Sequence, residues 1–344
     1  MSRTRRHFVA LSAASLCAAA CSRRAGFPSS PRFADPDRLT QGARALNVRA
    51  RPGVMDLGVM DIDHQRVWYA DDLGHYPLAS LAKLLTAGCA LSQLDEGKLR
   101  LNERLRIERD DLSPPTSRVN AQFAAGGERP LDLPLADLLG LSIQHDDNTA
   151  GDAVLRRVGG PGAVSAWLTV KGLEGLRLDR YDRQRIPEIF GLAEFRPEWR
   201  DEHAFALALE TIPPAIRQQA MDRYLADSRD TATVPGIIGF LDKLAIGELL
   251  GADSTRFLLA LMTNRTATAR GLAAGLPPGS TLASAGASTD TSLGFTPADN
   301  EVGIATLPGG RRLAIAIFLV GSTATAAGRA RLMADTGRLL ASAS

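Results

Sequence analysis

The spacing of hydrophobic residues predicts a hairpin near the start of the chain. Two largely apolar runs, residues 54–62 and 66–69, are separated by the three polar residues DHQ. This pattern is typical of two antiparallel strands with a short connection. A short helix is predicted before them, from about residue 37 to 46, because residues 35–37 read DPD and form a typical helix start.

The middle of the chain, from about residue 76 to 264, shows helical spacing instead. Apolar residues recur there three or four positions apart, as in the groups 81–94 and 237–244. One helix is predicted to begin near Ser80, since Pro77 lies just upstream and a leucine-rich run follows. We therefore expect a mainly helical layer.

Strand-like spacing returns near the C-terminus. The predicted strands are residues 281–285, 301–307 and 312–320, and a closing helix is predicted over about 325–340. Strands at both ends with helices between them predict that the two ends of the chain share one antiparallel sheet.

The predicted fold class is therefore α/β with an additional all-α part. We expect a sheet layer from about residues 36–75 and 265–344, and a helical layer from about residues 76–264. A binding cleft is expected where the two layers meet.

The first residues have the pattern of a targeting segment. Arg5 and Arg6 precede an apolar stretch, residues 8–20, that is too short for an ordinary membrane-spanning helix. The arrangement resembles a twin-arginine export signal, so we expect a periplasmic protein.

We accordingly divide the chain into a signal peptide (1–21), a flexible tether (22–35) and one catalytic domain (36–344). The sequence AAAC ends at Cys21 and resembles a lipoprotein cleavage box. If Cys21 is lipidated, the protein is attached to the membrane.

Charge and cysteine content narrow the partners and the chemistry. The chain has 40 lysines and arginines against 38 aspartates and glutamates, which gives no electrostatic basis for binding nucleic acid. Beyond residue 21, Cys89 is the single cysteine, so no internal disulfide is expected there. The five histidines show no metal-ligand spacing. We expect a monomer without metal or other cofactor.

Ser80 and Lys83 give the first indication of chemistry. A serine hydroxyl needs a neighbouring base to attack a carbonyl, and a spacing of three places both side chains on one helix face. A serine at a helix start also lies beside unpaired backbone N–H groups that can hold an oxyanion. Because such a pair occurs by chance in many helices, further motifs must support it.

The order of elements, with S-x-x-K on the first helix after the hairpin, resembles the class A beta-lactamases and related penicillin-recognising serine hydrolases. Their motif set is S-x-x-K, S-D-N and K-T-G. Five further stretches are similar to the family in the same order along the chain. They are residues 146–150 (DDNTA), 158–164 (VGGPGAV), 176–180 (LRLDR), 227–233 (DSRDTAT) and 276–279 (LPPG). The resemblance implies an antiparallel sheet built from both chain ends and flanked by helices.

The resemblance implies a role for each matching residue. Ser80 would be the nucleophile that forms an acyl-enzyme, and Lys83 would help to deprotonate it. Asp146 stands where the family has a proton-carrying serine, Asp147 would be a structural brace, and Asn148 would hold a substrate amide. A carboxylate can carry protons, but as an anion it would repel a substrate carboxylate. Without the resemblance, these last three residues would be interpreted as an acidic helix cap.

The loop that the family uses for deacylation is altered. Asp182 stands where a glutamate would activate water, and its side chain is one methylene shorter, so we expect a displaced water bridge. Glu188 and Glu194 are alternatives for this role. Arg180 and Asp230 match the ion pair that closes the loop, or are two unrelated surface charges.

An insertion lengthens this loop to several times the length it has in the family. It covers about residues 185–226, and the apolar spacing from residue 196 onward predicts a helical pair. We expect the pair to fold over the mouth of the cleft and to change which substrates enter.

The strand that borders the family's site differs from the family pattern even more. Where the family has Lys-Thr-Gly, this chain has Ala285, Gly286 and Ala287, or the same strand shifted by one residue. The motif therefore lacks the cation that would bind a substrate carboxylate, and Asp290 adds the opposite charge.

An oxyanion hole needs only backbone N–H groups, which Ser80 and the strand near Ser288 can supply. We predict Asn148, Ala287 and Ser288 as substrate-binding residues. Three functions remain open: a hydrolase that acts on a beta-lactam or a peptidoglycan-like amide, an esterase or amidase for substrates without a carboxylate, and a catalytically silent penicillin-binding-type envelope protein.

Overall fold

The computed structural model describes residues 35–115, 117–264 and 271–342. The predicted signal peptide with Cys21, and the predicted tether except its last residue, lie outside these ranges. No helix within them is both long and apolar enough to cross a membrane.

Nine strands and thirteen helices lie in the described ranges. The strands are β1 Val54–Asp61, β2 Arg66–Tyr69, β3 Tyr76–Pro77, β4 Arg104–Ile107, β5 Leu131–Pro134, β6 Thr231–Ala232, β7 Thr281–Ser288, β8 Thr296–Thr306 and β9 Arg312–Ser322. The helices are α1 Pro36–Ala50, α2 Ala82–Asp95, α3 Arg118–Ala125, α4 Leu135–His145, α5 Asn148–Arg157, α6 Pro161–Val170, α7 Asp182–Ile189, α8 Glu202–Glu210, α9 Pro214–Ala226, α10 Val234–Ala245, α11 Ala252–Thr263, α12 Gly271–Gly275 and α13 Ala326–Ser342.

Five strands form one antiparallel sheet in the order β2–β1–β9–β8–β7. β1 pairs with β9 along its full length, from Val54 opposite Val320 to Asp61 opposite Leu313. The two ends of the chain therefore share one sheet, as the distribution of strand-like segments predicts.

β9 is buried on both faces, because alternate residues of a strand point to opposite sides. Ile315 and Ile317 pack in the core formed with α1 and α13, whereas Ala316 and Phe318 pack in the core of the helical layer. The sheet thus separates two hydrophobic cores.

β7 and β8 are longer than predicted. β7 continues to Ser288 and β8 begins at Thr296, although the first residues of β8 are mostly polar. Ser288 lies opposite Asp299 in the paired strands, so pairing within the sheet overrides the weak local pattern.

α2 lies at the centre of the helical layer, where Leu84, Leu85 and Leu91 are fully buried. It begins at Ala82, slightly later than the predicted start near Ser80, because Ala79–Leu81 form one turn of 3₁₀ helix. Ser80 lies in this turn.

Two small antiparallel sheets, β3–β6 and β4–β5, lie within the helical layer. The sequence pattern does not predict them, since their strands are only two or four residues long and too short for a clear alternation. In the first sheet, Tyr76 lies opposite Ala232 and Pro77 opposite Thr231. This pairing fixes the chain just before Ser80.

Residues 185–226 hold the end of α7, a 3₁₀ turn at Pro197–Trp199, and then α8 and α9. Ile189, Phe190, Met221 and Tyr224 form a small core of their own between α7 and α9. Phe205 of α8 packs in the core of the helical layer instead, so the inserted segment is anchored to the rest of the domain.

Candidate active site

A cleft lies where the end of β7, the turn before α2 and the inserted helices meet. It contains about 480 Å³ of empty space, part of it open to solvent. Four of the predicted site residues line it together, namely Ser80, Asp146, Asn148 and Ser288. Lys83 is buried directly behind this lining.

Backbone contacts hold Ser80 at the cleft. Leu78 N donates a hydrogen bond to Asp230 O at 2.8 Å, and Asn300 Nδ2 donates to Pro77 O at 2.8 Å. Ala79 has a φ of +47°, a left-handed conformation that costs a residue with a Cβ roughly 1–2 kcal/mol. The surrounding contacts maintain this turn and place Ser80 in the cleft lining.

Lys83 is the centre of the polar network. Its Nζ lies 3.5 Å from Ser80 Oγ. The same atom lies 2.7 Å from both Asp146 Oδ1 and Asn148 Oδ1, and 3.1 Å from Asp182 Oδ2. The lysine therefore contacts the candidate nucleophile and two carboxylates at once.

The charge of Lys83 depends on these carboxylates. Burial disfavours an ammonium ion, but the charges of Asp146 and Asp182 outweigh this effect and raise the pKa of Lys83. Lys83 therefore rests in its charged form. It can accept a proton from Ser80 only after it has passed one to a carboxylate.

Asp146 and Asp147 have different roles. Asp146 follows α4 with a φ of +58° and directs its carboxylate to Lys83. Asp147 caps α5 by accepting a hydrogen bond from Ala150 N at 2.9 Å, and it also accepts one from Ser117 Oγ at 2.8 Å. The helix-cap interpretation thus describes Asp147, whereas Asp146 belongs to the site.

Asn148 holds Lys83 from a second side. While its Oδ1 accepts from Lys83, its Nδ2 donates to Pro115 O at 2.7 Å, which fixes the orientation of the amide. One turn later, a Cβ on Gly151 would lie 3.0 Å from Lys83 Cε. A glycine at this position lets α5 approach the lysine closely.

Asp182 is the first residue of α7 and is 6% exposed. Its Oδ2 contacts Lys83 directly, and its Oδ1 accepts a hydrogen bond from Arg185 Nη2. Burial disfavours its charge, but Lys83 and Arg185 outweigh burial and lower the pKa of Asp182. The shorter side chain therefore reaches the lysine directly, and the displaced water bridge stays a prediction.

Arg185 is a site residue that motif matching does not reveal. It is buried, lines the cleft and pairs with Asp182. A spacing of three on a helix favours such an ion pair, so this spacing is the signal that could have identified it. Among the described residues that line the cleft, Arg185 is the only cation.

Asp152 is a second residue that the motifs do not reveal. It accepts hydrogen bonds from Ser113 Oγ at 2.5 Å and from the backbone N–H groups of Asp182 at 2.7 Å and Arg183 at 2.9 Å. Burial and the charge of Asp182 raise the pKa of Asp152 to about 6. An aspartate among the buried apolar residues of α5 is the available signal. Asp152 positions the start of α7 and with it Asp182.

Arg180 and Asp230 form a buried ion pair, with Arg180 Nε 2.6 Å from Asp230 Oδ2. They are not the unrelated surface charges of the alternative interpretation. Since Asp230 O also accepts from Leu78 N, the pair connects the ends of the long loop to the turn that holds Ser80.

Glu188 and Glu194 lie away from the cleft lining. Glu188 pairs with Arg180 at 2.6 Å and with Arg229 at 3.3 Å. The side chain of Glu194 is 74% exposed, with Arg196 at 3.9 Å. The prediction that either could replace the usual glutamate is wrong, because neither faces Ser80.

The end of β7 contributes Ser288 to the cleft, followed by Thr289 and Asp290. Ala285 and Ala287 are buried in the core of the helical layer. The prediction of Ala287 as a substrate contact is therefore wrong for its side chain, since neighbouring strand residues point to opposite faces.

The described ranges contain neither a candidate metal site nor a reactive thiol. They contain no group of three or more side chains suited to hold a metal ion. Cys89 is a buried free thiol, and burial raises its pKa to about 11, so it is not poised to react.

Comparison with known proteins gives a family match over nearly all of the described chain. The sequence model of the "Beta-lactamase enzyme family" matches residues 38–343. Beta-lactamase VEB-1 of Pseudomonas aeruginosa is 22% identical over 77% of each chain. Extended-spectrum beta-lactamase PER-1, also of Pseudomonas aeruginosa, is 26% identical over 74% of this chain and 73% of its own.

Solved structures show the same fold. A beta-lactamase from Chitinophaga pinensis has a TM-score of 0.71 at 24% identity, covering 89% of this chain and 98% of that one. The ancestral class A beta-lactamase of Gram-negative bacteria has a TM-score of 0.69 at 24% identity, covering 89% and 99%. The chain belongs to the beta-lactamase enzyme family and has the fold of the class A beta-lactamases.

Proposed function

We propose that this protein is a serine hydrolase in which a beta-lactam or a related amide acylates Ser80 and water then releases the product. The observation that supports the proposal most directly is the set of contacts at Lys83. Its Nζ is 3.5 Å from Ser80 Oγ and contacts the carboxylates of Asp146 and Asp182. This arrangement provides a nucleophile, a proton carrier and a proton acceptor in one buried network.

In the proposed acylation, Lys83 first gives a proton to Asp146 or Asp182 and then takes the proton of Ser80. Ser80 Oγ bonds to the carbonyl carbon, and the carbonyl oxygen becomes an oxyanion beside the N–H groups of Ser80 and Ser288. Collapse of this intermediate breaks the C–N bond, and the leaving nitrogen receives the proton.

In the proposed deacylation, water attacks the carbonyl of the Ser80 ester and loses a proton to a carboxylate. Asp182 is our candidate, because Lys83 and Arg185 keep it ionised. Asp146, which lines the cleft, is the alternative proton acceptor. The C–O bond to Ser80 then breaks, and the serine regains its proton through Lys83.

One observation favours a second candidate, an esterase or amidase for substrates without a carboxylate. Ala285 stands where the family motif has a lysine, and its side chain is buried. The one cation in the described cleft lining, Arg185, is already paired with Asp182. A carboxylate on the substrate would therefore find no free positive partner among the described residues of the lining.

Covalent labelling tests the proposal. Fluorescent penicillin and an uncharged fluorophosphonate are each incubated with the purified protein, and adducts are read by intact mass. We expect at least one of these probes to add to the wild type and neither to add to Ser80→Ala. Ser92→Ala serves as the matched control, because Ser92 is a buried serine of α2, the helix that follows Ser80, and does not line the cleft.

A label that persists in Ser80→Ala, or no label in the wild type, would refute the proposed function. If the wild type is labelled at Ser80, its reaction with a chromogenic cephalosporin distinguishes the three candidate functions. Steady turnover supports a beta-lactam hydrolase, a trapped adduct supports a silent binding protein, and labelling by the fluorophosphonate alone supports the esterase.

A further inference from the structure

The cleft carries an excess of negative charge. Arg185, the one cation of the described lining, and Lys83, which lies behind the lining, are paired with Asp146 and Asp182. Asp290 adds a second carboxylate to the lining, beside that of Asp146, and makes no ion pair with any described residue. The carboxylate of Asp290 therefore remains without a cationic partner in the described part of the chain.

The inserted helix α8 adds a further negative charge near Asp290. Glu202, its first residue, interacts electrostatically with Asp290. Desolvation in the cleft raises the pKa of Asp290, and the charges of Glu202 and Asp146 raise it further. Arg217 of α9 reaches the same loop, but its Nη1 donates to Ser292 Oγ at 3.4 Å.

The position of Asp290 relates this charge to the reaction centre. Asp290 lies two residues beyond Ser288, whose N–H is a proposed oxyanion donor. A substrate group that extends along this edge of the sheet past the reacting carbonyl therefore reaches the carboxylate. A second substrate group can contact the apolar part of the lining, formed by Ile186, Ile189, Phe190 and Phe205.

We propose that the cleft selects esters or amides that carry a cationic ammonium group together with an apolar group, and that it rejects substrates bearing a carboxylate. This proposal rests on the proposed acylation of Ser80. The ammonium group would lie beside Asp290, while the apolar group packs against Phe190 and Phe205. Selection is electrostatic, so it weakens as salt screens the charges.

Three matched esters test the proposal. They are 4-nitrophenyl esters of phenylacetic acids whose ring carries a trimethylammonio, a tert-butyl or a carboxylate group. The first two groups have nearly the same shape, so their difference reports charge alone. Each kcat/KM is divided by the rate of hydroxide-catalysed hydrolysis of the same ester, which removes the effect of the substituent on intrinsic reactivity.

We expect the wild type to prefer the cationic ester to the tert-butyl ester by about tenfold at low salt, and to prefer the tert-butyl ester to the anionic one. Asp290→Asn should reduce the cationic preference to about twofold, and Glu202→Gln should reduce it less. Asp253→Asn is the control, because the Asp253 side chain is 91% exposed on α11, where it pairs with Arg256.

A preference for the tert-butyl or the anionic ester would overturn this inference. So would a cationic preference that Asp290→Asn leaves unchanged. Failure of the proposed function has a different signature, since then neither the esters nor fluorescent penicillin acylates Ser80 and the fluorophosphonate does not phosphonylate it. If Ser80 is acylated but the three esters react without charge selection, only the proposed substrate class is refuted, and the proposed function stands.

Discussion

At the residue scale, this site differs from the family's motif pattern in its charged residues more than in its nucleophile. Motif matching predicts the positions of Ser80, Lys83 and Asp182 because each belongs to a recognisable stretch. Arg185 and Asp152 belong to no motif. Arg185 lies three residues from Asp182 on the same helix, whereas the contact between Asp152 and Asp182 depends on how α7 meets α5. Such contacts between distant parts of the chain are not encoded in local spacing.

Asp182→Asn tests the proposed proton acceptor. An amide cannot take a proton from water, so we expect the acyl-enzyme to live at least about tenfold longer. Its decay is followed by intact mass after excess reagent is removed. The variant also leaves the buried Arg185 without its carboxylate, which costs about 3–5 kcal/mol, so a thermal melt must first show that it is folded. An unchanged lifetime in a folded variant would assign water activation to another group, with Asp146 next to be tested.

At the element scale, the insertion changes the wall of the cleft. The apolar spacing in the sequence predicts its helices. It does not predict which side of each helix faces the cleft, because both α8 and α9 bury part of their surface elsewhere. The small sheet β3–β6 is also absent from the sequence pattern, although its pairing holds the turn before Ser80. A strand of only two residues can be assigned only when the strand that it pairs with is known.

Phe205→Ala tests whether α8 contributes to binding. We expect KM for 4-nitrophenyl phenylacetate to rise about fivefold relative to KM for 4-nitrophenyl acetate, since about 1 kcal/mol of apolar contact is lost. Leu207→Ala is the matched control, because Leu207 lies on the same helix and is 49% exposed. Equal KM ratios in both variants would show that Phe205 is a packing residue without a role in binding. Both variants are assayed below their melting temperatures, because Phe205 is buried.

At the scale of the whole molecule, the two ends of the chain are joined by β1 and β9 and by ion pairs. Asp61 at the end of β1 pairs with Arg66 at 2.7 Å and with Arg311, in the turn before β9, at 2.6 Å. The shared sheet is predictable because strand-like segments lie only near the ends of the sequence. The ion pair between Asp61 and Arg311 is not, since it joins residues 250 positions apart.

Two buried aspartates of β1 give the molecule opposite responses to pH. Burial raises the pKa of Asp56 to about 7, with the nearby charge of Asp71 adding to the effect. Burial also disfavours the charge of Asp61, but Arg66, His64 and Arg311 outweigh it and lower the pKa of Asp61. Asp56 therefore contributes stability below its unfolded-state pKa that is lost as the pH rises toward 7. Asp61 contributes stability above its unfolded-state pKa that is lost as the pH falls.

Asp56→Asn and Asp61→Asn, compared with the wild type by urea unfolding from about pH 3 to pH 8, test this difference. Between about pH 4 and pH 8, Asp56→Asn should gain up to about 4 kcal/mol relative to the wild type, because a shift of about three pKa units is removed. Asp61→Asn should be less stable than the wild type near neutral pH, and the deficit should shrink as the pH falls below about 4. Each variant is the control for the other, since both replace a buried carboxylate of the same strand by an amide. Parallel pH profiles for the two variants would contradict the assignment. They would mean that Arg66 and Arg311 do not stabilise the charged form of Asp61 in the folded protein.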